Sequence, residues 1–180
     1  MTPPLVERAA RLAAELGFAN SCSAGTGRVL HLVAATRGRT RVAETGTGVG
    51  YGAAWIVSAL EPAVPFVTAE LDVARAAAAA ALFGEDENVT VLAGDWHDVL
   101  PEHAPFDLLF HDGSKRRPDL DGEETLRLLA PRGLVVLDDM TPGREGPDPV
   151  RDFWLHHPEL AATEVQVSPR EAVILAVRAR

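Results

Sequence analysis

The chain has 180 residues, 47% of them hydrophobic and 24% charged, with a formal net charge of −9. That length suits about one domain with a real core, and the acidic balance argues against a duplex nucleic acid partner, which selects basic faces. A single cysteine, Cys22, excludes an internal disulfide and a multi-cysteine zinc cluster.

Leu5, Ala9, Leu12, Ala13 and Leu16 recur at helical spacing and predict a first helix over residues 4–16, stopped at Gly17. A loop around residues 20–25 follows, and Thr26 or Gly27 opens a second helix through Leu30, Val33 and Ala34. Residues 1–38 therefore form a helical N-terminal cap on a single α/β core spanning 39–180. Cys22 is expected as a partly buried small side chain, since nothing nearby in sequence would activate a thiol.

From Arg41 onward strands alternate with helices, the pattern of a parallel sheet with crossover helices. The predicted strands are 41–45, 65–70, 89–93, 106–111 and 133–137, with helices through Leu60, over 73–83 and over 120–129. Six consecutive alanines in the 73–83 helix are strong helix formers and a close-packing surface. A Gly/Pro-rich loop, 141–149, leads to a helix carrying Phe153, Trp154 and Leu155. The last two strands, near 162–167 and 172–177, are joined by Ser168-Pro169-Arg170-Glu171, too short for a parallel crossover, so they form an antiparallel hairpin. No apolar run reaches the roughly 18 residues of a membrane span. The opening Met-Thr-Pro-Pro lacks the basic and apolar regions of a signal peptide. A cytoplasmic protein acting on a small molecule is expected.

The first strand leads into Glu44-Thr45-Gly46-Thr47-Gly48-Val49-Gly50-Tyr51 and then a helix. Glycines at such a turn permit positive φ and close backbone approach, and the helix start offers unpaired N–H groups. The dinucleotide fingerprint G-x-G-x-x-G would need a third glycine where Tyr51 stands. The spacing E-x-G-x-G-x-G instead resembles the S-adenosylmethionine loop of class I methyltransferases, in which the acidic residue helps hold the methionine end and the glycines pass under it.

Ligands of an open α/β sheet bind outside the carboxyl ends of its strands, so the polar residues there are informative. The second strand ends in Glu70-Leu71-Asp72, and a carboxylate at Glu70 suits the two hydroxyls of a ribose. The third ends in Gly94-Asp95-Trp96: Asp95 suits the adenine amino group, or equally the N-cap of a following short helix, and Trp96 suits the ring face. The fourth ends in Asp112, with Lys115 three residues on. The fifth ends in the pair Asp138-Asp139. Three carboxylates converging at neighbouring strand ends are unfavourable without a positive partner. A divalent cation with oxygen ligands, Mg²⁺ above all, answers that need. His97, His103, His111, His156 and His157 show no metal spacing that competes.

Four stretches, V-A-E-T-G-T-G-V-G-Y-G, V-T-A-E-L-D, F-D-L-L-F-H-D-G-S-K and L-L-A-P-R-G-L-V-V-L-D-D, together resemble the metal-dependent O-methyltransferases of the catechol and caffeoyl-CoA type over roughly residues 25–178. The resemblance implies a Rossmann-like class I methyltransferase fold: a mostly parallel seven-stranded sheet with a C-terminal antiparallel hairpin and helices on both faces. It implies S-adenosylmethionine held by Glu44, Gly46, Thr47, Gly48, Gly50, Tyr51, Glu70, Leu71, Gly94, Asp95, Trp96 and Asp112. It places the metal on Asp112, Asp138 and Asp139, and makes Lys115 the acceptor of the substrate hydroxyl's proton. Asp139 departs from the family's asparagine, which adds a negative charge at the metal. The short cap and the Gly/Pro-rich 141–149 segment depart in length, so acceptor identity does not carry over. A small-molecule acceptor, vicinal-diol or phenolic, is expected, with no nucleic acid or membrane partner, and a homodimer is allowed. Three rivals remain: a metal-independent methyltransferase, which EDTA would not inhibit, a non-catalytic S-adenosylmethionine- or nucleoside-binding module, and an NAD-dependent oxidoreductase, against which the glycine spacing weighs.

Overall fold

The computed structural model describes residues 2–113 and 118–179, the latter from residue 121 onward with side chains. Two helices come first: α1 (Pro4–Glu15), with proline in its first turn, and α2 (Ala24–Ala34), whose N-cap Ser23 accepts from the Thr26 N–H. Then β1 (Val42–Thr45), α3 (Tyr51–Val57), β2 (Phe66–Glu70), α4 (Val73–Leu82) and β3 (Val89–Ala93) alternate. A one-turn α5 (Trp96–Val99) and a 3₁₀ turn at Pro101–His103 precede β4 (Phe106–His111), α6 (Pro118–Leu128) and β5 (Leu129–Met140). The chain closes with α7 (Pro149–His156), β6 (Leu160–Ser168) and β7 (Glu171–Arg178).

The strands form one sheet in the order β3-β2-β1-β4-β5-β7-β6, parallel from β3 through β5 and antiparallel where β7 enters. Because successive side chains of a strand point to opposite faces, neighbouring residues feed two separate cores. Val42, Phe66, Leu108, Phe110 and Val136 face α1, α2, α3 and α4. Ala43, Val67, Leu109, Val135 and Leu137 face Trp96, Leu126 and Trp154 of α5, α6 and α7. Both faces are thus covered by helices, and the near-continuous apolar strands follow from burial on two sides.

Several predicted boundaries move, two of them for reasons visible in the local chain. The helix after β1 stops at Val57 rather than Leu60; the Ser58 hydroxyl donates to the Ala54 carbonyl at 2.6 Å, competing with the helical ladder. β5 begins at Leu129 rather than Gly133. Pro131-Arg132-Gly133 reads as a turn, but the chain absorbs it as a bulge: Phe106 pairs with Leu129 and Leu108 with Leu134, with Arg132 at φ 64°. Gly133 belongs there because a Cβ would stand 2.8 Å from the Phe106 carbonyl oxygen.

Candidate active site

The order reverses between β1 and β4, whose chain connections leave in opposite directions, so a crevice opens at their carboxyl ends. Register brings the termini together: Thr45 lies opposite His111, and His111 opposite Leu137. The next residues, Gly46, Asp112 and Asp138, therefore meet. The Asp112 N–H donates to the Thr45 carbonyl at 3.1 Å and the Gly113 N–H to the Thr45 hydroxyl at 3.0 Å. Gly46, at φ 82°, approaches so closely that a Cβ would stand 2.8 Å from Gly113 Cα. Only glycine fits this seam.

A cavity of about 500 Å³ occupies the crevice. Of the residues expected at the cofactor, Gly46, Gly48, Glu70, Leu71, Gly94, Asp95, Trp96 and Asp112 line it. Glu70 is buried and joins two elements. One carboxylate oxygen accepts the Gly48 N–H at 2.8 Å; the other accepts the Asp72 N–H at 2.9 Å and Arg75 Nη2 at 2.6 Å. Asp95 both lines the cavity and N-caps α5, accepting the His97 N–H at 3.1 Å. Of the two roles foreseen as alternatives, the N-cap is formed, and the side chain also stands on the cavity wall.

The remaining cofactor candidates lie beneath or beside the glycine turn rather than on the cavity wall. Thr47 is buried against the Thr68 hydroxyl, Gly50 abuts the Phe83 ring, and Tyr51 meets Trp55 edge-on at 6.5 Å. Glu44 is wholly buried. Desolvation pushes its carboxyl up to about 8, against the opposing pull of hydrogen bonds from the Thr68 hydroxyl and the Ala53 N–H. The Ala53 amide is an orphan donor of the first turn of α3, so Glu44 stitches β1, β2 and α3 together from below.

Asp112, Asp138 and Asp139 present carboxylate oxygens within 4.8 Å of one another. In a regular strand consecutive Asp138 and Asp139 would face opposite sides. Instead the β5–β7 register shifts between Leu137 and Met140, and Asp139 adopts φ 65°, a left-handed conformation that aspartate tolerates. This bulge turns both carboxylates to one place. Asp138 is further oriented by Thr26 of α2, whose hydroxyl donates to its Oδ1 at 3.1 Å within the buried interior. The donor set, three hard oxygens with Asp138 buried and Asp139 exposed, fits a small divalent cation. Cys22 lies near this cluster; burial first, then the charges of Asp138, Asp112, Glu44 and Asp139, push its thiol well above the ordinary value. It stays protonated and is no nucleophile. Lys115 lies outside the described residues.

Sequence reading missed several wall residues. Phe18 and Asn20 come from the α1–α2 connection, Arg75 from α4, His97 from α5 and Asp121 from α6. Arg75 and His97 stand within a few residues of recognised strand ends and were findable by that proximity. Phe18 and Asn20 carry no local signal, nor does Thr26 as the partner of Asp138.

The profile of a methyltransferase-domain family matches residues 43–140, from β1 to the end of β5. A catechol O-methyltransferase of Niastella koreensis is 32% identical over 136 residues, covering 71% of this chain and 62% of the relative. The chain thus spans less than two thirds of that relative's length. Among solved structures, the O-methyltransferase TomG of Streptomyces achromogenes, involved in tomaymycin synthesis and in complex with SAM, superposes with a TM-score of 0.83. It is 27% identical, with 100% of this chain and 92% of that chain covered. The O-methyltransferase of Bacillus cereus, in complex with SAH, has a TM-score of 0.84 at 22% identity over 99% and 92% of the two chains, a likeness of fold.

Proposed function

The chain belongs to the methyltransferase family whose domain spans residues 43–140, and from that premise we propose that it transfers a methyl group from S-adenosylmethionine to a hydroxyl of a small molecule, assisted by a divalent cation. The observation that carries the proposal is the junction of two features at one crevice. The glycine-turn cavity with Glu70 and Asp95 on its walls is continuous, through Asp112, with the three-aspartate cluster. The relatives support it: the Streptomyces structure is of an O-methyltransferase in complex with SAM, and the Niastella relative is a catechol O-methyltransferase.

In this reading Glu70 takes the ribose hydroxyls, Asp95 the adenine amino group, and Trp96 packs beside the ring. The close backbone approach of Gly46 and Gly113 sets the methionine end next to Asp112. The sulfonium is its own leaving group, so the protein's tasks are alignment of acceptor oxygen and methyl and removal of a proton. Asp112, Asp138 and Asp139 would hold a divalent cation, which supplies Lewis acidity that lowers the pKa of a coordinated hydroxyl. Thr26 fixes the carboxylate plane of Asp138. Lys115 accepts the hydroxyl proton. Two adjacent oxygens on the acceptor, as in a catechol, suit a cation bound from one side by three carboxylates.

The test is incubation of the purified protein with labelled S-adenosylmethionine, Mg²⁺ and a panel of vicinal-diol phenols, with and without EDTA. Methyl transfer abolished by EDTA and restored by Mg²⁺ supports the proposal. Transfer indifferent to EDTA removes the metal role and leaves the methyltransferase. Binding of S-adenosylmethionine with no transfer to any acceptor favours the non-catalytic module.

A further inference from the structure

His97 has no part in the chemistry above, yet its ring meets three carboxylates and an indole beside the cavity. Its Nδ1 stands 2.6 Å from Asp95 Oδ1, and its Nε2 2.9 Å from Glu124 Oε2 and 3.2 Å from Asp121 Oδ1. Its ring stacks on Trp96 with centroids 3.6 Å apart and planes 25° from parallel. With Asp95 ionised its carboxylate only accepts, so Nδ1 is the donor in that contact. The ring thus bridges the β3–α5 turn to α6, and Asp121, its partner there, is buried.

The bridge matters because α5 is a single turn, four residues long, and a helix so short has little stability of its own. Asp95 and Trp96 sit at its start. Trp96 is held by the core, but the exposed Asp95 side chain, left to the turn alone, would sample several rotamers, and ordering it on binding would cost affinity. We propose that His97 is the positioning residue for purine recognition: it fixes the Asp95 carboxylate in advance, so that the site selects a 6-amino purine over a 6-oxo purine. The proposal rests on the S-adenosylmethionine reading of the cavity. Its chemistry is simple. A held carboxylate accepts from an amino group and repels a carbonyl oxygen, and a site with fixed polar groups discriminates strongly against a ligand that leaves them unpaired.

The experiment is calorimetric titration of the full chain with S-adenosylhomocysteine and with its 6-oxo counterpart, S-inosylhomocysteine. The variants are His97→Ala, His97→Gln, Asp95→Ala and the His97→Ala/Asp95→Ala double. The unsubstituted protein should prefer the adenosyl ligand by about tenfold or more. His97→Ala should weaken the adenosyl ligand by about tenfold and move the inosyl ligand by less than about twofold, so that the preference collapses. Asp95→Ala should do the same, and the double variant should lose no more than either single one. His97→Gln, whose amide still donates, should recover part of the preference. Equal weakening of both ligands by His97→Ala, or additive losses in the double variant, would overturn the proposal and leave His97 a structural prop. If the unsubstituted protein binds neither ligand, the S-adenosylmethionine reading itself falls and takes the proposal with it.

Discussion

Replacing Glu44 with glutamine should stabilise the protein increasingly as pH rises, although the side chain is buried and hydrogen-bonded. Its carboxyl titrates near 4.5 in an unfolded chain and at about 8 in the fold, chiefly because burial disfavours the charged form. A folded pKa above the unfolded one makes the native state the proton binder. The group's contribution is therefore intact below pH 4.5, declines as pH rises, and is gone above about pH 8. At about 1.4 kcal/mol per pH unit the whole loss amounts to roughly 5 kcal/mol, of which about 3 kcal/mol has gone by pH 7. Glutamine keeps the shape, cannot ionise, and retains a carbonyl for the Ala53 N–H and an amide for the Thr68 hydroxyl. Urea denaturation of both proteins from pH 5 to pH 9 isolates the effect, because every other titrating group is common to the two. The unsubstituted protein should lose stability relative to Glu44→Gln across that range, with the gap levelling off near pH 8. Parallel stability curves would show that the buried carboxyl is not held protonated, and would sink the assignment.

Glu70→Ala removes the carboxylate proposed to accept the ribose hydroxyls; hydrogen bonds to charged groups contribute about 1.5–3 kcal/mol, so affinity for S-adenosylhomocysteine should fall roughly 10- to 100-fold by calorimetry. Asp138→Asn should weaken Mn²⁺ binding, read by electron paramagnetic resonance, by at least about tenfold, and Thr26→Val, which removes only the orienting hydroxyl, by about tenfold with the melting temperature nearly unchanged. Equal Mn²⁺ affinity in all three proteins would remove these carboxylates from the metal site. Lys115→Met should lower kcat by roughly 10²- to 10⁴-fold while leaving the KM for S-adenosylmethionine in place; a raised KM with unchanged kcat would make it a binding residue instead.

The sheet was legible because its strands are short apolar runs bounded by glycine, proline and acids, and the cofactor edge because those acids cluster where strands end. Glu70, Asp95, Asp112 and Asp138 could be picked out by that rule alone. What stayed hidden obeys no local period. The bulge at Asp138–Asp139 is a register mismatch with β7, a strand more than thirty residues downstream by the numbering. Phe18, Asn20 and Thr26 reach the site from the cap through tertiary packing. Glu44 looked like a ligand because strand-end acids usually face the crevice. In the fold it points beneath the turn, where Gly52 leaves room: a Cβ there would stand 2.6 Å from Glu44 Oε1.

The seam between β1 and β4 also joins segments that are far apart in sequence. Strands β1 to β3 follow one another and pair side by side, so they can assemble as the chain is made. The partner on the other side of β1 is β4, which follows β3 in sequence. Gly48 and Glu70 thus belong to segments that are consecutive in sequence, while Gly113 and the aspartates come from segments further along the chain that close on β1 from its other side. Long-range parallel pairing of this kind is a slow step in folding. A ligand gripping both sides binds the finished chain alone, and by mass action it draws the last strands home. Occupation of the crevice and completion of the sheet are thus thermodynamically linked.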